Sequence, residues 1–240
     1  MKLKRFLCGA ITVVGTAACA LLVTAESDRP GKIVQQDEKT AVLFEFENKK
    51  QPPSDAVDAT LMQNIKTRAK NRQFRYYQAV DNTQQAADLL GIPLLRSDLL
   101  EKIPQAELQL ETNCTRALKL ERTTFKQEYD TGEFAIQLVA NTLWQEGIRQ
   151  NHEYYVQDGY TLETIPYTTG TGQDITVFYL QDEKSRILRL FTMFMYENTQ
   201  YTLYAYCDGY MVKDEAGDYI PSSVSKDFCL QVLDSLEPTI

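Results

Sequence analysis

The sequence predicts an α+β protein: a curved antiparallel sheet meander covered on one face by helices, the last of them at the C-terminus. Three observations predict it. Apolar residues recur at alternate positions through much of 105–206. Turns rich in glycine and polar residues cut that stretch into strands. Residues 223–236 then change to helical spacing. Strands with short connections and a closing helix suit an antiparallel sheet that buries one face under helices.

Taken in order, the chain opens with Met1-Lys2-Leu3-Lys4-Arg5, a basic leader. From Phe6 to Ala25 no residue is charged, and Val23-Thr24-Ala25 ends the run with small residues. Residues 1–25 therefore have the layout of a secretory signal peptide cleaved after Ala25. The same 20 residues also suffice for an N-terminal membrane anchor, since a bilayer core needs roughly 20 apolar residues. Both readings keep the basic end on the cytoplasmic side and send the rest outside. Cys19, behind Thr16-Ala17-Ala18, is a poor lipidation site because the apolar run continues past it.

Residues 26–56, polar and holding Pro30, Pro52 and Pro53, read as a tether, with one short strand allowed at Ala41–Phe46. Residues 57–240 read as a single extracytoplasmic α+β domain. Val57, Leu61, Ile65 and Ala69, four apart, predict a helix over 56–70. A strand is expected at Arg72–Val80. Asp81-Asn82-Thr83 supplies N-cap residues for a short helix at Gln84–Leu90, and Gly91 its stop, with Pro93 beyond. Alternating residues follow from Gln105, and Tyr129-Asp130-Thr131-Gly132 turns a hairpin between Ala117–Glu128 and Glu133–Leu143. Further strands are expected at Tyr160–Tyr167, Ile175–Leu180, Arg186–Tyr196 and Tyr201–Tyr206. Phe228, Val232, Leu233 and Leu236 give the closing helix an apolar face.

The formal net charge is −8, and loss of Lys2, Lys4 and Arg5 with the leader would take it to −11. Acidic charge confers solubility, and without a block of cations nucleic acid is an improbable partner. Beyond the leader stand only Cys114, Cys207 and Cys229, too few for a disulfide scaffold. Cys207 and Cys229 either form one bridge in an oxidising compartment or are small buried hydrophobes.

No catalytic residue, cofactor or metal is indicated. His152 is the sole histidine, which excludes a His-rich metal site. Gly170-Thr171-Gly172 lacks the Lys-Ser/Thr of a phosphate loop and precedes a strand, so it reads as a hairpin turn. Trp144 reads as a core or edge residue. Tyr196, Tyr204, Tyr206 and Tyr210 crowd two adjacent strands, with Tyr204 and Tyr206 opposite Tyr201, Leu203, Ala205 and Cys207. They make either a contact surface or ordinary strand packing.

Asn82 to Leu95 (NTQQAADLLGIPLL), with Leu99-Leu100 after it, and the closing DFCLQVLDSL at 227–236 resemble a domain of unknown function. That domain is an uncharacterised bacterial extracytoplasmic one, found C-terminal to the membrane span of anti-sigma-factor-like proteins. Arg96-Ser97-Asp98 lacks the proline pair of that family's turn. The resemblance implies a sensory or regulatory domain without catalytic residues, and only Met1–Arg5 stand where a sigma-binding region would be. The expectation is an exported or membrane-anchored, non-enzymatic domain that contacts a protein or envelope ligand. A carrier or sensor of an apolar ligand held between sheet and helices is the second reading, and a carboxylate-dependent hydrolase the third.

Overall fold

A computed structural model describes residues 31–36, 39–48 and 52–239. The expected leader at 1–25 lies outside these residues. Among the described residues no helix is long and apolar enough to cross a membrane.

The structure is mostly antiparallel β, with a helix close to the C-terminus, and its sheets are not closed. Eight strands form the main sheet: β3 (Arg75–Ala79), β5 (Gln105–Cys114), β6 (Leu120–Asp130), β7 (Ala135–Leu143), β9 (Thr161–Thr168), β10 (Asp174–Gln181), β11 (Ile187–Tyr196) and β12 (Thr199–Tyr206). Their spatial order, β3-β5-β6-β7-β12-β11-β10-β9, corrects the expectation of one continuous meander. Two four-stranded runs meet where β7 pairs with β12. Between them the chain leaves the sheet as β8 (Arg149–Tyr155) and returns at the far edge as β9.

Among the described residues three α-helices are present: α1 (Ala59–Ala69), α2 (Thr83–Leu90) and α3 (Lys226–Asp234). Each is capped as its sequence demands. Asp58 accepts from the Thr60 and Leu61 amides, Asn82 from Gln85, and Ser225 from Phe228. Leu61 and Ile65 of α1, Ala86 and Leu90 of α2, and Val232 and Leu233 of α3 are buried. They share one cluster with Leu110, Phe125, Ile136, Leu138, Tyr201 and Leu203 of the main sheet. Leu236, expected on the closing helix, instead opens a short strand, Leu236–Pro238, which pairs with β4 (Leu95–Ser97). The helix has ended at Ser235, whose amide caps onto Gln231.

The described part of 26–56 is no tether. β1 (Lys32–Gln36) and β2 (Lys39–Glu47) form a hairpin, and β2 pairs with β8 to complete a second sheet of order β1-β2-β8. The reason is in β2 itself: Val42, Phe44 and Phe46 alternate and are buried against Phe178, Leu180, Phe191 and Met193 of the main sheet. Buried Asn48 fixes the end of β2 by donating to the Leu143 and Gln145 carbonyls, at 2.9 and 2.8 Å.

Gly132 turns the β6–β7 hairpin with φ +85°, and its amide donates to Asp130 Oδ1 at 2.8 Å. A Cβ there would touch nothing within 4 Å. Gly132→Val is thus expected to lose only the conformational part, about 1 kcal/mol or slightly more. A chemical-denaturation midpoint equal to that of the parent would contradict this.

Candidate functional site

The face of the main sheet opposite Tyr201, Leu203 and Ala205 changes character along the strand order. The register sets Phe178, Phe191, Tyr204, Gln137 and Glu128 in one row across β10, β11, β12, β7 and β6. The next row runs Met193, Thr202, Val139, Lys126. Each row passes from apolar to charged. The β1-β2-β8 sheet seats itself on the apolar half, where Phe44 meets Phe178 edge-on at 5.5 Å and Tyr154 stacks on Phe191 at 4.6 Å. Its edge strand, β8, lies at the boundary.

Beside β8 an open groove of about 300 Å³ remains. Gln137, Val139, Asn141, Thr202 and Tyr204 line it from the main sheet, and His152 and Tyr154 from β8. Tyr154 and Tyr204 lie nearly parallel with centroids 6.5 Å apart, and Tyr206 follows Tyr204 at 5.6 Å. Tyr206 donates to Glu128 Oε1 at 3.2 Å, and Glu128 also holds Lys126 at 2.6 Å. Burial pushes the phenols of Tyr154, Tyr204 and Tyr206 above the ordinary tyrosine range, so they remain hydrogen-bonding, uncharged groups. The groove therefore offers aromatic faces, amides and a neutral imidazole.

Of the four tyrosines singled out from the sequence, the structure brings Tyr204 and Tyr206 to this face. Tyr196 and Tyr210 pack instead against the helix-side core. Alternation explains Tyr196, which shares a face with Phe194 rather than with Met193 and Met195. Tyr201, Leu203, Ala205 and Cys207 are all buried, in the cluster that also holds Val232 and Leu233.

All three cysteines in the described chain are free and buried, so Cys207 and Cys229 stand here as small buried hydrophobes and not as a bridge. The Cys207 thiol is directed at the carbonyls of Leu188 and Ser222, at 3.6 and 3.4 Å. Burial pushes the Cys229 thiol up to about 12. Trp144 is a core residue whose indole donates to Thr123 at 3.0 Å. Gly170-Thr171-Gly172 is the β9–β10 turn. It lies on the end of α3, with the Gly170 amide donating to the Leu233 carbonyl at 3.1 Å. A Cβ on Gly170 would overlap the Asp234 carbonyl, which is why glycine stands there. Among the described residues no group of His, Cys, Asp and Glu is placed to hold a metal.

Sequence reasoning missed β8 as a wall of the site. Its one signal was the alternation of Gln150, His152 and Tyr154 with Asn151, Glu153 and Tyr155, in a stretch too polar to read as buried. His152 Nε2 lies 3.2 Å from Gln200 Oε1. Burial pushes this imidazole below the ordinary histidine range, the hydrogen bond to Gln200 opposes the shift, and the Arg122 charge adds to it. With a depressed folded value, the unfolded chain takes up the proton first as pH falls below about 6.5. Stability is expected to drop there, in a window that contains no other histidine. His152→Gln should flatten the thermal midpoint between about pH 7.5 and about pH 5.5; equal slopes for parent and variant would place the dependence elsewhere. No family model, curated protein or solved structure matches the chain.

Proposed function

We propose that the chain is an exported or membrane-anchored, non-enzymatic binding domain at the cell envelope, where it senses a protein or envelope ligand. In this reading the helices cover one face of a curved sheet, and the part of the other face beside the second sheet is left for recognition. Residues 1–25 direct the domain out of the cytoplasm, and the resemblance of 82–95 and 227–236 to an extracytoplasmic domain of anti-sigma-factor-like proteins favours a sensory role.

One observation carries the proposal: the aromatic and amide groove beside the edge strand β8. An edge strand presents backbone N–H and C=O groups that an incoming extended segment pairs with, and pockets beneath choose its side chains. A segment laid along β8 would set alternate side chains over Val139 and against Tyr204. Tyrosine suits that task because it supplies large amphipathic area with few rotatable bonds.

The test uses the full chain in detergent as bait for a phage-displayed library of extended decapeptides. Selected peptides are expected to compete with one another and to lose binding on Val139→Arg and on Tyr204→Ala. Both side chains are only partly buried, so the thermal midpoint should stay within a few degrees. Peptides that bind both variants as tightly as the parent would show that the groove is not the contact surface.

A further inference from the structure

On the far side of the main sheet from β9, around its other edge strand β3, lies a surface unlike the rest of this acidic chain. Lys66, Arg68, Lys70, Arg72 and Arg75 follow one another through the end of α1, the connecting turn and the start of β3. No Asp or Glu occurs between Asp58 and Asp81. All five cations are exposed. Arg75 pairs with Glu111 at 2.7 Å, but Lys66, Arg68, Lys70 and Arg72 have no ion-pair partner among the described residues. Among the other described arginines, Arg96 pairs with Glu237, Arg149 with Glu47, Arg186 with Asp182 and Arg189 with Asp208, whereas Arg116 and Arg122 have no such pair but do not gather into a patch of this size. Aromatic rings are interleaved with the patch. Arg68 lies over Tyr76 at 5.4 Å and Arg75 over Tyr77 at 5.0 Å, and Tyr77 is 46% exposed. A cleft of about 480 Å³ opens among Arg68, Arg72, Phe74 and Tyr77.

Arg72 has a φ of +59°, the left-handed conformation that follows a helix end and that glycine adopts without steric cost. Leu118, Ser185 and Glu197 hold side chains at the same cost, so at Arg72 it is the surrounding charge that distinguishes the position. Charge on an exposed edge strand also guards against edge-to-edge pairing. That explanation covers Arg75 but not Lys66, Arg68 or Lys70, which belong to the helix and its end.

We propose that Lys66, Arg68, Lys70, Arg72 and Arg75, with the ring of Tyr77, form a docking surface for an anionic phospholipid bilayer. A net charge of −8 makes other faces of the molecule repel such a surface, so the patch also fixes the orientation of the domain. Exposed tyrosine beside cations fits the headgroup region, where its ring and hydroxyl meet apolar and wet surroundings. The reading of residues 6–25 as a membrane-directed segment puts the domain near a bilayer. The charge argument stands without it, and neither depends on the groove beside β8.

The test uses the full chain carrying Tyr77→Trp, with Trp144 buried and so insensitive to lipid. Vesicles of phosphatidylcholine, with or without phosphatidylglycerol, carry brominated acyl chains that quench nearby tryptophan. Quenching is expected with phosphatidylglycerol at low salt, is lost at high salt, and is absent with phosphatidylcholine alone. Each cation neutralised, as in Lys66→Gln or Arg68→Gln, should weaken the contact about fivefold. Arg72→Gly separates charge from structure: it should raise the thermal midpoint while weakening the contact by a similar factor. Equal quenching in both vesicle types would assign attachment to apolar residues alone and overturn the proposal. So would no quenching in either, or binding of soluble polyphosphate by a patch that phosphatidylglycerol vesicles leave unquenched. A Val139→Arg background should leave the signal unchanged, so failure of the groove reading remains distinguishable.

Discussion

Phe44→Ala is expected to destabilise the protein by about 3–5 kcal/mol, the range for truncating a fully buried aromatic. Phe44 is 0% exposed and is the centre of the contact between the two sheets. Its ring meets Phe46, Tyr154, Phe178 and Phe191, with centroids between 5.5 and 6.4 Å. Edge-to-face partners add to the area term, so a cavity here loses both burial and ring geometry. Gly31 closes the same contact from one side, since a Cβ there would come within 2.7 Å of the Phe178 ring. The small sheet has little else to hold it: outside Val42, Phe44 and Phe46 its inward residues are polar or only partly buried. Phe44→Ala should therefore also open the β1–β2 hairpin to proteases before the main sheet unfolds. A urea midpoint lowered by less than the equivalent of about 1 kcal/mol, with no gain in proteolysis near 39–48, would mean that the second sheet is not integral to the domain.

That second sheet is also where the sequence was least legible. The β6–β7 hairpin was readable because its period-two strands flank a glycine turn, all within 25 residues of one another. The caps of α2 were readable for the same local reason, with Asn82 before the helix and Gly91 after it. β2 and β8 pair across more than a hundred residues, Phe44 with His152, and nothing local in either strand names its partner. The polar outward side of β8 hid a strand, and the proline-bounded surroundings of β2 made it look like part of a tether. Within the site, Tyr204 and Tyr206 were legible from alternation along β12. His152 and Tyr154 were not, because a lone histidine acquires meaning only when the second sheet sets it beside Gln200. Counting aromatic residues by strand grouped Tyr196 with Tyr204 and Tyr206, whereas the parity of β11 sets it on the other face. The basic patch was missed for a different reason: its cations are spaced by one or two residues, so no block appears, and folding the helix end against β3 gathers them.

Gly91→Ala is expected to cost about 3 kcal/mol or more, from two causes that add. The first is conformational: φ is +65°, and an L-residue in the left-handed region loses roughly 1–2 kcal/mol. The second is steric, because a Cβ on Gly91 would overlap the carbonyl group of Ala56. That carbonyl has little freedom to withdraw. The Ala56 amide is tied to the Pro53 carbonyl at 3.2 Å, and the Asp58 amide donates to the Leu89 carbonyl at 3.0 Å. The entry to α1 and the exit of α2 are thus docked backbone to backbone, and the Gly91 amide itself closes α2 on the Ala87 carbonyl at 2.8 Å. Gly132→Ala is the matched control, since Gly132 has φ +85° but no neighbour within 4 Å of its added Cβ. Denaturant midpoints for the two variants then separate the causes: the shared loss is conformational, and the excess at position 91 is the overlap. Asparagine, which tolerates the left-handed region but still carries a Cβ, should recover the first cause and not the second. Equal losses at 91 and 132 would show that the chain before α1 is not packed against the end of α2.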